Sequence, residues 1–323
     1  MDKFISCLSP MIESMLDYRE ALGFSRQTHM SSLMSFDRYC AEYDPDAVTL
    51  NKNTVLAWIH RELEKAHVNI NERATTVRLL GKYMAAVGKD SYELPSNFVS
   101  RKNVFTPYIF TDSELANLFS AIDHLPIDSI DHTDIIAPVL FRMIYTCGLR
   151  PNEGRLLECL NINLDTGEIL ITETKRKKER LVVMSCDMLS LCRDYERHRK
   201  VFAENSNYFF PCADGNAFNS NRLDRIFKRC WEAANLDVKP EKLPNIRIYD
   251  LRHQYASTTL SRWLDTKRDL YVMLPYLRAY MGHAHFSETA YYIHLLPENL
   301  VKSAGIDWAA FNALMPEVIS WQG

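Results

Sequence analysis

Apolar residues recur at helical spacing through the first hundred positions. A helix is predicted from Pro10 to Leu22, with Ser9 as its N-cap, proline in its first turn and Gly23 as its stop. In the stretch 25–43, Leu33, Met34, Phe36 and Cys40 fit one helical side, and Ser25 is a candidate cap. Val55, Leu56, Trp58, Ile59 and Leu63 give 53–66 a broad apolar side. Val77, Leu80, Met84 and Val87 repeat at three- and four-residue steps between Asn71 and Gly88. Four helices with short connections make a small bundle.

The pattern breaks over 94–110, where Pro95 and Pro107 interrupt it, and this stretch is read as a linker. A helix then opens at Thr111, which forms a capping box with Glu114, and another follows over 134–146. From 167 to 185 the period changes. Ile169, Ile171 and the run Leu181, Val182, Val183 are strand-like and flank a polar turn at Arg176–Lys178, which predicts a hairpin. Helical patterning resumes over 187–204, 219–234, 250–264, 271–281 and 286–294, and "DWAAFNALMPEV" fits one more. The fold class is therefore mostly α with a small β-hairpin. Its organisation is a helical bundle (1–93), a linker (94–110) and a second domain with a C-terminal tail (111–323), and 323 residues suit two domains.

Composition narrows the function classes. No apolar run reaches the roughly 18 residues of a membrane span, and Arg142 interrupts the richest one. Asp2 and Glu13 make the N-terminus a poor signal peptide. None of the eight cysteines falls in a CxxC pair, so a thiolate zinc site is not expected, and reduced thiols in a cytoplasm are. The formal charge of −3 hides an uneven distribution. Residues 112–134 hold six acids and no Lys or Arg, whereas 143–278 hold 23 basic against 18 acidic residues. Basic clusters stand at 175–180, 197–200 and 222–229. One cluster is ordinarily a solvated face; three in one half point to a polyanion.

Four separated stretches carry candidate chemistry. In "GLRPNE", Gly148 ends one helix and Pro151 opens the next, so Arg150 sits at a helix start with Glu153 three residues on. Lys175 lies in the hairpin, and by itself reads as a solvent-exposed turn. "IYDLRHQYAST" puts Arg252 just inside a helix that Asp250 is placed to cap. "MGHAHFSETAYYIH" gathers three histidines and two tyrosines. A metal site there would need His283, His285 and His294 to converge, with no acid or thiolate at ligand spacing nearby.

Taken in order and at their spacing, these four stretches resemble the tyrosine recombinases, the family of the phage integrases and chromosome-dimer resolvases. The resemblance extends over nearly the whole chain, because "GFSRQT" and Phe36 are similar to the family's N-terminal core-binding domain. It implies a core-binding bundle followed by a catalytic domain. It also implies a site-specific recombinase that breaks and rejoins DNA through a 3′-phosphotyrosyl bond, with no metal, cofactor or ATP. By the resemblance Tyr292 is the nucleophile, Arg150 and Arg252 clamp the phosphate, Lys175 is the general acid, and His283 assists at the phosphate. Glu153 orients Arg150, and Tyr291 is a packing residue, since helical neighbours point about 100° apart. The chain departs from the family at Tyr249, where a histidine is usual; a phenol cannot act as a neutral-pH base, so the acceptor of the Tyr292 proton is left open.

The partners implied are double-stranded DNA and, on paired DNA sites, a homotetramer. Arg176, Lys177, Lys178, Arg222, Arg225, Lys228 and Arg229 are candidate DNA contacts, and Trp308, Phe311, Leu314 and Met315 give the tail an apolar stripe that could dock on a neighbour or on its own domain. The competing readings are a DNA-binding regulator that has lost catalysis, a one-way nicking enzyme of type IB topoisomerase or telomere-resolvase kind, and a metal-dependent hydrolase.

Overall fold

The computed structural model describes residues 4–61, 69–98, 106–172 and 179–295, with His294 and Leu295 described by backbone alone. The chain divides into two compact units between Val104 and Phe105, inside the stretch read as a linker. Both ends of that stretch are nonetheless core: Leu94 is buried in the first unit and Phe110 in the second.

The first unit is four helices, α1 (Ser9–Ala21), α2 (Met30–Tyr43), α3 (Lys52–His60) and α4 (Ile70–Ala86). Helix α4 packs on the other three around Leu16, Phe36, Trp58, Val77 and Leu80. Three starts differ from the sequence reading. Helix α1 includes Ser9, and its cap position, Leu8, has no capping side chain. Helix α2 begins only at Met30, after His29 in a left-handed conformation (φ 68°), and Arg26 pairs instead with Glu13 and Asp17 of α1. Helix α4 is capped by the Asn69 side chain. The buried Asp37 carboxylate accepts from the backbone of Ile5 and Ser6 and from the Ser6 hydroxyl at 2.6–3.1 Å, which ties the segment before α1 onto α2.

The second unit contains α5 (Asp112–Asp123), α6 (Thr133–Cys147), α7 (Pro151–Arg155), α8 (Cys186–Ala203), α9 (Ser220–Ala233), α10 (Ile248–Asp265), α11 (Leu270–Met281) and α12 (Phe286–Ala290). Between α7 and α8 lie β1 (Ile162–Asn163), β2 (Glu168–Ile171) and β3 (Arg180–Val183). They form an antiparallel sheet in the order β1-β2-β3 with Ile169 opposite Val182, and β1 was not anticipated from the sequence. The richest apolar run of the chain is α6, whose Ile136, Leu140, Phe141 and Ile144 are fully buried where α5, α8 and α10 meet it. Such a helix, apolar on nearly all sides, belongs in a core. No helix among the described residues is long and apolar enough to cross a membrane. The predicted helix beyond residue 295 and the tail residues Trp308, Phe311, Leu314 and Met315 lie outside the described residues.

In the first unit Gly81 marks the closest approach: a Cβ there would stand 2.7 Å from the Tyr92 carbonyl oxygen. The Tyr92 segment cannot simply retreat, because its N–H is bonded to the Leu50 carbonyl at 2.8 Å. Gly81→Ala sets a helix-propensity gain of about 1 kcal/mol against an overpacking cost of about 1–3 kcal/mol, and a net loss of stability is expected. Urea unfolding checks it; a gain in midpoint would refute the close approach.

Candidate active site

The site is built on turns. Helix α6 ends at Gly148 in a left-handed conformation (φ 61°), and a side chain there would run into the Tyr255 ring, 2.5 Å from an added Cβ. Two residues on, Arg150 occupies the cap position of α7, with Pro151 in the first turn. Glu153 turns back on it: one carboxylate oxygen accepts from the Arg150 backbone N–H (2.8 Å) and the other from its guanidinium (2.7 Å).

This is not a surface ion pair. The Glu153 side chain is 6% exposed. It also accepts both terminal nitrogens of Arg180, at 2.9 and 2.6 Å, and stands 3.8 Å from Arg252. Burial alone would raise its pKa; the hydrogen bonds and charge of Arg180, the Arg150 amide and the charge of Arg252 bring it down to about 2. Arg180, the first residue of β3, went unrecognised in the sequence because it closes the basic run "KRKKER", which reads as a solvated turn. It is 8% exposed, and its Nε also donates to the Tyr280 carbonyl at 2.8 Å.

Helix α10 supplies the second arginine. Asp250 sits in its first turn rather than at its cap, accepting from the Arg247 N–H at 2.8 Å. Arg252 is fully buried; its terminal nitrogens donate to the Gly148 (2.6 Å) and Met281 (2.5 Å) carbonyls, and its Nε finds no partner among the described residues. The next carbonyl, Gly282, accepts from Arg150 at 2.9 Å. Gly282 is left-handed (φ 64°), and a Cβ there would press on the Arg180 guanidinium at 3.0 Å. The C-terminal end of α11 thus holds both arginines.

His283 follows that turn. Its Nδ1 lies 2.8 Å from the hydroxyl of the buried Thr289, which fixes the ring. Tyr292 belongs to a short 3₁₀ turn, Tyr291–Leu295, directly after α12. It is 2% exposed, packs with Ala256, Leu260, Leu277 and Ile293, and its ring lies nearly parallel to that of His283 at 6.0 Å. Its hydroxyl is 3.0 Å from His253 Nδ1. His253 also went unrecognised; the signal was its spacing of four from Tyr249, whose ring lies 5.0 Å away. Tyr291 meets Tyr292 only ring edge to ring.

Electrostatics follow from burial beside cations. Burial, then Arg252, Arg150 and Arg180, lowers His283 to about 3. Burial, then Arg247 and Arg252, lowers His253 to about 4. Burial raises the Tyr292 phenol above its ordinary value against the pull of Arg252 and Arg150. Arg150 is pulled down by burial but raised further by Glu153, with a contribution from the Tyr249 hydroxyl beside it. At neutral pH two arginines thus face two neutral imidazoles and a neutral phenol.

Arg150, Glu153, Arg180, Tyr249, Gly282 and His283 line one groove of about 1360 Å³, next to which Arg252 and Tyr292 are buried. Helix α9 splits its basic cluster. Lys228 faces this groove, whereas Arg222 pairs with Asp128 and Asp131 and lines a separate hollow with Arg225 and Arg229. Asp128 and Asp131 of the acidic stretch after α5 therefore offset the charge of Arg222. Lys175, Arg176, Lys177 and Lys178 lie outside the described residues, as does the His294 side chain. His285 is exposed, and among the described residues no His, Cys, Asp and Glu cluster with metal-ligand geometry.

Residues 109–299 match the phage integrase family model. An integrase/recombinase of Sinorhizobium fredii, y4rE, is 29% identical over 303 residues, covering 91% of this chain and 93% of the relative. The tyrosine recombinase XerA of Pyrococcus horikoshii is 23% identical over 294 residues, 90% of this chain and 91% of XerA. Among solved structures, the XerH site-specific recombinase bound to a palindromic difH substrate superposes with a TM-score of 0.62 at 18% identity, over 88% of this chain and 80% of that one. The Tn1549 transposon integrase in complex with transposon right-end DNA gives 0.64 at 14% identity, over 96% and 99%.

The Glu153 hub has a pH signature. A carboxylate whose folded pKa lies below its ordinary 4.5 contributes stability that is complete above about pH 4.5 and is lost as pH falls towards 2. Glu153→Gln is expected to lower stability at pH 7 by about 3–5 kcal/mol, the cost of breaking a buried ion pair. That deficit should shrink between pH 4.5 and 2. Urea unfolding at stepped pH measures it; a constant deficit would mean the pair contributes packing only.

Proposed function

We propose, from the premise that this chain belongs to the phage integrase family and is a tyrosine-type site-specific recombinase, that it cleaves and rejoins duplex DNA through a covalent bond between Tyr292 and a 3′-phosphate. The observation that carries this reading is the convergence of Arg150, Arg252, His283 and Tyr292 from three separate stretches at and beside one groove in the second unit.

The chemistry follows from the side chains. Two guanidiniums with donors to spare suit the non-bridging oxygens of a phosphodiester, and they oppose the charge that develops as phosphorus becomes five-coordinate. Both are held before substrate arrives, by Glu153 and by the carbonyls of Gly148, Met281 and Gly282, so little reorganisation is left for the reaction step. With Nδ1 committed to Thr289, His283 offers Nε2 to a phosphate oxygen. Tyr249, half-buried on the groove wall beside Arg150, offers a hydroxyl donor to the same phosphate. Tyr292 attacks, the 5′-oxygen leaves, and Lys175 protonates it as the resemblance implies. The tyrosyl ester conserves the energy of the broken bond, so rejoining requires no nucleotide.

Duplex DNA is the partner, and assembly into a tetramer on two sites is the working form, as in the lambda integrase tetramer bound to a Holliday junction. Backbone affinity comes from Arg176, Lys177 and Lys178 together with Lys228, Arg225 and Arg229. Arg222 contributes less, since Asp128 and Asp131 offset its charge. Lys228→Ala is expected to lower the slope of log affinity against log salt by about 0.9, the value of one phosphate contact. Titration across a salt series measures it, and an unchanged slope would remove Lys228 from the interface.

The direct test is covalent trapping on nicked duplexes drawn from both flanks of the protein's own gene, with chelator present. A denaturation-resistant adduct is expected from the unsubstituted chain and from Tyr291→Phe, and none from Tyr292→Phe. An adduct lost only in Tyr291→Phe would move the nucleophile by one residue. Specific binding with no adduct from any form would overturn catalysis.

A further inference from the structure

We propose that His253 is the catalytic base that takes the proton from Tyr292. This rests on the reading of Tyr292 as nucleophile and assigns the step that Tyr249 leaves open.

The geometry is direct. His253 Nδ1 stands 3.0 Å from the Tyr292 hydroxyl, within the reach required of a base towards the proton it removes. The two residues come from different elements, α10 and the 3₁₀ turn after α12, so the contact is made by tertiary packing and not by sequence neighbourhood. His253 is partly exposed, and the rings of Tyr249 (5.0 Å) and Tyr292 (5.5 Å) pack against its own ring. His283, the other imidazole nearby, has its Nδ1 engaged by Thr289. Tyr249 is turned to Arg150, from which its hydroxyl oxygen accepts.

The groups facing His253 are Tyr249, Arg247 and Arg252 of its own helix, Tyr292 of the 3₁₀ turn, and His283 after α11. The two arginines and burial keep the imidazole neutral at neutral pH, with a lone pair to accept a proton. A neutral imidazole does not ionise a buried phenol in the resting site. It has no need to: as the bond from the tyrosine oxygen to phosphorus forms, that oxygen becomes an ester oxygen and releases its proton. The proton passes to Nδ1, the bond from phosphorus to the 5′-oxygen breaks, and the 5′-oxygen is protonated by the general acid. One proton is gained at His253 and one is lost at the acid. Rejoining runs the same path backwards, with His253 returning its proton to the leaving phenolate.

The experiment measures the rate of adduct formation on the nicked duplexes across pH for the unsubstituted chain, His253→Gln and His253→Ala. DNA binding serves as the control for folding. The expected loss in both variants is about 10²–10³-fold in rate with affinity retained. The fall in rate towards acid pH that marks the base should disappear in His253→Gln, and added imidazole should partly restore His253→Ala. A role limited to packing would leave the acid limb in place and would not respond to imidazole. Rates within threefold of the unsubstituted chain, or an intact acid limb in His253→Gln, would overturn the proposal. If His253→Ala fails to fold, His253→Gln decides alone by its pH profile. Failure of the unsubstituted chain to form any adduct would instead overturn the reading of Tyr292 as nucleophile.

Discussion

The second unit turns on one buried carboxylate. Glu153 gathers Arg150 and Arg180 directly and lies within Coulombic reach of Arg252. Three guanidiniums so close together repel one another, and only a desolvated anion between them makes the arrangement tolerable. The carboxylate also couples elements distant in sequence. Through Arg180 it fixes the start of β3, and through the Arg150 amide it sets the first turn of α7. The remaining donors of the arginines reach the end of α11, where carbonyl oxygens carry the negative pole of the helix.

How far the sequence disclosed this depends on the kind of signal. Helix α10 and the capping box at Thr111 were legible because periodicity and capping chemistry are local. The motifs holding Arg150, Glu153, Arg252, His283 and Tyr292 were read through a resemblance of order and spacing, and the structure brings these side chains near one another. Helix α2 was misjudged at its start because "SRQT" offers capping residues while the chain spends Arg26 on a tertiary ion pair with α1. Tertiary contacts overrode local preference there.

Arg180 and His253 were illegible for a different reason. Each is an ordinary residue in its own stretch, one in a basic run and one beside an arginine. Their roles exist only across the fold, where Arg180 meets a carboxylate 27 residues away and His253 meets a phenol 39 residues away. Charge counting misled in the opposite direction on α9: four basic residues in eight positions read as one patch, but a helix distributes them over two faces.

The turn at Met281–Gly282 has a consequence for how the site comes into being. Its two carbonyls hold the two arginines, its φ requires glycine, and the next residue is His283. These groups therefore help to hold one another in position. Assembly of the site is coupled to docking of α11 onto α10 and β3, which brings its last carbonyls to the arginines. Variants within the set should behave non-additively, each one alone releasing most of what the whole set holds. Activity followed through a denaturation curve should vanish in step with the tertiary signal of this unit, with no inactive but folded form between.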